Sequence, residues 1–94
     1  MGFLDDIGNF MKSQEESILR NKYRVRTPSD AVYAADRIIY GRESEGIKVS
    51  NLRPLIAWLN RLAGQGEDEA EEALRDIQRV HRNFLNEHDI DVEL

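Results

Sequence analysis

The chain has 94 residues, no cysteine and a formal net charge of −5. That length suits one helical domain over 1–94, and the missing cysteine excludes disulfides, a thiolate nucleophile and Cys-based zinc sites. At 40% hydrophobic and 33% charged the chain is too apolar for disorder throughout, and its acidity argues against nucleic acid or an anionic membrane surface as partner.

The first predicted helix covers residues 3–22. Phe3, Ile7, Phe10, Met11, Gln14 and Ile18 share one helical face, with Asp5 and Asp6 in the first turn, where carboxylates complement the helix dipole. A core helix is the expected outcome, ahead of a docking helix. Met1-Gly2-Phe3 has no basic region before an apolar run, and Asp6 stands where a myristoylation motif needs Ser or Thr, so neither a secretory signal nor a lipid anchor is expected. No apolar run reaches the ~18 residues of a spanning helix. With cysteine absent, the expected location is cytoplasmic.

Arg20, Lys22, Arg24 and Arg26 then occupy alternate positions, with Tyr23 and Val25 among them. On extended backbone these cations share one side, a pattern able to grip phosphate and stack a base. In an acidic protein a solvated helix end and linker is the expected outcome, and a nucleic-acid-binding regulator using residues 20–26 is the alternative.

Thr27-Pro28-Ser29-Asp30 is the sharpest local signal: an N-cap, a proline at the first helical position and an acid three residues after the cap. A helix over 28–41 follows. Ala31, Ala35 and Ile38, flanked by Val32 and Ile39, form its apolar face, while Tyr33 and Tyr40 share another side as core rim or interface anchors.

Residues 41–46 form a polar connection bounded by glycines, and Ile47-Lys48-Val49 are expected to run briefly extended. The central helix is predicted over 51–64. Leu52, Leu55, Ile56, Leu59, Leu62 and Ala63 repeat at helical spacing, and Ala57 and Trp58 widen the face. Proline is best tolerated near a helix start, so Pro54 places the cap at Ser50 or Asn51. Gly64-Gln65-Gly66 ends the helix. The opening Val49–Arg53 has a weak likeness to a DNA-reading helix, but Leu55, Ile56 and Trp58 stand where polar base contacts are needed.

The last helix is predicted over 67–88, with a stripe of Ala70, Ala73, Leu74, Ile77, Val80, His81, Phe84 and Leu85. Acids fill its first turns and Arg75, Arg79 and Arg82 come later; Glu71 and Glu72 are in reach of Arg75. The acids lack the ligand alternation and turn glycine of a calcium loop, so a solvated helix start is expected. His81 and His88 stand seven apart with no third histidine, too wide for a helical zinc motif. The tail Asp89-Ile90-Asp91-Val92-Glu93-Leu94 alternates acidic and apolar residues. Period two predicts extended segments at 23–26 and 89–93, paired by charge or leaving Ile90, Val92 and Leu94 free to add to a partner's sheet edge.

The expectation is an all-α domain of four helices whose core includes Leu55, Ile56, Leu59, Leu62, Ile38, Ile77, Val80 and Phe84. No catalytic constellation, cofactor motif or metal motif emerges, so the chain reads as a non-enzymatic protein-interaction module: an adaptor, inhibitor or accessory protein. Its candidate contact residues are Trp58, Tyr33 and Tyr40, then Arg20, Lys22, Arg24 and Arg26, then Ile90, Val92 and Leu94. A homodimer with Trp58 or the two tyrosines at its seam is also expected.

Overall fold

The computed structural model describes residue 17 and residues 19–94. The fold is all-α. Among the described residues it comprises a helical segment ending at Lys22 and three complete helices, α1 (Pro28–Ile39), α2 (Glu45–Gly64) and α3 (Asp68–Glu87), with no strand. Most of the helix expected over 3–22 lies outside the described residues.

The start of α1 follows its sequence signal. Thr27 Oγ1 accepts the Asp30 N–H at 3.3 Å, and Asp30 Oδ2 accepts the N–H groups of Thr27 at 3.2 Å and Arg26 at 3.0 Å. Those backbone donors, Arg26 first, hold the Asp30 carboxyl below its ordinary pKa. Ala31, Ala34, Ala35 and Ile38 are buried along α1, opposite a stripe of α3 that buries Ala70, Ala73, Leu74 and Ile77. Small side chains on both helices permit close approach of the two axes.

The central helix begins earlier than expected. Ser44, not Ser50 or Asn51, is its cap, accepting the Ile47 N–H at 3.4 Å, and residues 47–49 are helical rather than extended. Pro54 therefore lies inside α2, where it cannot donate to the Ser50 carbonyl; Ser50 is exposed, so water can satisfy that acceptor. Lys48 Nζ reaches back to the Ile39 carbonyl at 2.7 Å and so closes the end of α1. Leu52, Leu55, Ile56 and Leu59 form the centre of the core, and Leu52, Ile56, Leu59, Leu74 and Ile77 are its largest fully enclosed side chains.

Three expected core members are not fully buried. Val80 is 55% exposed and His81 takes the buried position in its place. From Ile77 the buried line advances by four residues, to His81, where the backbone leaves helical geometry (φ −113°, ψ 26°), and Val80 faces outward. Leu62 and Phe84 are half-buried at the core's edge. The expected Glu71–Arg75 pair is present at 3.6 Å between largely exposed side chains.

Neither period-two stretch is extended in the expected way. The segment ending at Lys22, helix α2 and helix α3 finish in the same six-residue arrangement, in which a left-handed residue lets two N–H groups turn back onto the last carbonyls. At the first end Arg24 has φ 57°, its N–H meets the Asn21 carbonyl at 3.3 Å, and the Val25 N–H meets Arg20 at 2.7 Å. Gly66 (φ 91°) with Glu67 does the same for α2, bonding Ala63 at 3.0 Å and Leu62 at 3.1 Å. Asp89 (φ 53°) with Ile90 does so for α3, bonding Asn86 at 3.4 Å and Leu85 at 2.9 Å. Val25 and Ile90, each just after its left-handed residue, are buried in the core.

The tail therefore does not pair with residues 23–26. It runs along α2, where Asn60 Nδ2 donates to the Asp91 carbonyl at 3.1 Å and Asn60 Oδ1 accepts the Glu93 N–H at 2.9 Å. Seven residues earlier on α2, Arg53 Nη2 donates to the His88 carbonyl at 2.9 Å.

Candidate protein-binding groove

Helices α1 and α3 run side by side in the same direction: Ser29 and Glu69, near the two starts, line one groove, and Asp36 meets His81 further along. The groove encloses about 290 Å³ between Ser29, Val32 and Tyr33 of α1 and Glu69, Glu72, Ala73 and Asp76 of α3. Ala73 is its buried floor, Val32 is half-buried, and Tyr33 stands 67% exposed at its edge.

The charge of this groove is one-sided. Glu69, Glu72 and Asp76 recur at helical spacing on the α3 wall, and among the described residues no cation lines the cleft. Asp76 Oδ1 meets Arg79 Nη2 at 3.2 Å, an exposed pair of small energetic weight. Carboxylates accept charge-assisted hydrogen bonds, and a phenol ring attracts a cation through its face, so this lining is chemically able to hold a cation attached to apolar chain.

Beyond the groove the seam is closed by His81 and Asp36. The His81 side chain is 3% exposed and its Nε2 lies 2.5 Å from Asp36 Oδ1. A carboxylate only accepts, so the imidazole N–H is the donor. Tyr40 stacks obliquely on His81, with ring centroids 5.3 Å apart at 59°. Tyr40 itself is 70% exposed. Tyr33 and Tyr40 are thus exposed aromatic residues along α1, and Val80, four residues beyond Asp76 on α3, is also exposed.

The other residues singled out from sequence are differently placed. Trp58 is 7% exposed, a core residue with the Arg20 guanidinium 5.0 Å from its ring, and offers no free surface to a partner. Ile90 is buried and Val92 half-buried against α2, while Leu94 is exposed, so these three do not form a free strand-addition peptide. In the basic stretch, Lys22 Nζ lies 5.5 Å from the Tyr23 ring centroid, and Arg24 occupies the left-handed turn. Arg20, Arg24 and Arg26 border a separate cleft of about 260 Å³ with Asn21 and Val25. The one-sided ladder expected of an extended segment is replaced by a turn. Tyr33 and Tyr40 were legible as a pair, whereas the acids facing Tyr33 had only the signature of a helix start.

Among the described residues no helix is long and apolar enough to cross a membrane. Comparison with protein-family models, with curated proteins and with solved structures gives no match.

Proposed function

We propose that the chain is a non-enzymatic interaction module that receives a basic segment of a protein partner along the α1–α3 seam. The observation that carries this reading is the apposition of Tyr33 with Glu69, Glu72 and Asp76 along one groove. A Lys or Arg side chain fits that chemistry, its aliphatic stem against Val32 and Tyr33 and its charge at the acidic wall. Tyr40 adds an exposed aromatic ring further along α1, a residue type on which interface energy concentrates. Absence of cysteine supports a cytoplasmic setting.

The test is fluorescence anisotropy with a labelled Arg- and Lys-rich peptide, an acidic peptide as control. The reading predicts saturable binding of the basic peptide, lost in Tyr33→Ala and in Glu72→Lys and weakened by salt. Binding unaffected by both substitutions would place any interaction elsewhere.

Self-association is a second reading, favoured by the exposure of Tyr33 and Tyr40 on one face. A homodimer through that face predicts a dimer mass in sedimentation at micromolar concentration, reverting to monomer in a Tyr33→Ala/Tyr40→Ala variant. Monomer mass in the parent chain rejects it.

A further inference from the structure

The ends of two helices meet at a second group of side chains that the groove does not use. Glu45 is the first residue of α2, Glu87 the last of α3, and His88 the residue that caps α3. One oxygen from each carboxylate and one imidazole nitrogen lie within 4.8 Å of one another. Distant in sequence, these residues converge because α2 begins where α3 ends.

His88 is held ready. Its ring lies 4.6 Å from that of Phe84 at 52°, its carbonyl is fixed by Arg53, and its side chain is 19% exposed. Its Nε2 is buried with no hydrogen-bond partner, and Glu45 Oε2 stands 4.0 Å away, beyond hydrogen-bond distance. An unpaired buried nitrogen is costly and uncommon in folded proteins. Here Glu45 lies 4.0 Å from that nitrogen, and a Glu87 oxygen joins the same cluster of ligand atoms.

We propose that Glu45, Glu87 and His88 bind a divalent transition-metal ion, with Zn²⁺ the best match. An imidazole with two carboxylates suits this borderline ion better than the all-oxygen surroundings that Ca²⁺ and Mg²⁺ prefer. Zinc bonds of about 2.0–2.2 Å place tetrahedral ligand atoms about 3.3–3.5 Å apart. The 4.0 Å gap to Glu45 closes with a small swing of a side chain that is 69% exposed. Water completes the coordination. The bound ion joins the start of α2 to the end of α3, and its role is to fasten that end of the bundle.

The test uses the full chain without an affinity tag. Calorimetric titration with ZnCl₂ at neutral pH should give about one equivalent of saturable binding, and Zn²⁺ should raise Tm relative to EDTA. His88→Gln and Glu87→Gln should each weaken binding by about tenfold or more. Glu69→Gln, in the groove, should leave it unchanged. Should His88→Gln fail to fold in EDTA, the exposed Glu45→Gln and Glu87→Gln variants decide. No saturable binding by the parent chain, or affinity unchanged in the Glu45 and Glu87 variants, would overturn the proposal.

Discussion

His81 Nε2 donates to Asp36 Oδ1 across the α1–α3 seam at 2.5 Å, joining a side chain 3% exposed to one 43% exposed. This link sits where α3 departs from helical geometry, next to the exposed Val80. Asp36→Ala leaves a buried imidazole N–H without its acceptor and should cost ~1–3 kcal/mol. Asp36→Asn keeps an acceptor oxygen and should cost less. Urea unfolding checks both; stabilities equal to the parent chain would show that the bond contributes nothing.

Core and surface separate cleanly at two residues of similar chemistry. Leu59 is fully enclosed and Val80 is 55% exposed. Leu59→Ala should therefore cost ~2–5 kcal/mol by loss of burial and a residual cavity, while Val80→Ala should stay within ~0.5 kcal/mol of the parent. The measurement is denaturant unfolding of the two variants side by side.

The shared helix ending gives an opposite pair of outcomes. A left-handed conformation costs an ordinary L-residue ~1–2 kcal/mol, less for Asp, while glycine adopts it freely at an entropic cost of ~0.5–1 kcal/mol. Arg24→Gly should thus stabilise modestly, Asp89→Gly should be nearer neutral, and Gly66→Ala should destabilise by ~1 kcal/mol. Thermal unfolding orders the three, and an increase in Tm for Gly66→Ala would refute the assignment of that turn.

Asp30 supplies a pH dependence of known sign. Its folded pKa is depressed by the Arg26 and Thr27 N–H groups, so its contribution is present above the unfolded pKa and is lost as pH falls through the lower folded value. The stability gap between the parent chain and Asp30→Ala should be constant near neutral pH and shrink from about pH 4 downward. A gap that widens on acidification would reverse the sign and exclude the carboxylate cap as its source.

The sequence was most legible where one local rule acted alone. Thr27, Pro28 and Asp30 specify their helix start by hydrogen bonding among near neighbours, and the apolar periods of α1 and α2 name most of the core. It misled where a tertiary effect overrode the local rule. Pro54 signals a helix start, yet the burial of Leu52, Leu55 and Ile56 carries the helix through it. The alternation around Val25 and Ile90 imitates strands, but it records a buried anchor following a left-handed turn. Glu69, Glu72 and Asp76 have the pattern of a dipole-favoured helix start; only the packing of α1 beside them sets those acids against Tyr33. The convergence of Glu45 with Glu87 and His88 depends on helix lengths and directions, which no local spacing encodes.

The central claim, that the α1–α3 groove receives a basic segment, is tested most directly by amide chemical-shift mapping during titration of the ¹⁵N-labelled chain with an Arg- and Lys-rich peptide. The account predicts saturable shifts centred on Ser29, Val32, Tyr33, Glu72, Ala73 and Asp76, abolished by Tyr33→Ala. Absence of shifts, or shifts centred on the tail along α2 and unchanged by Tyr33→Ala, would contradict it.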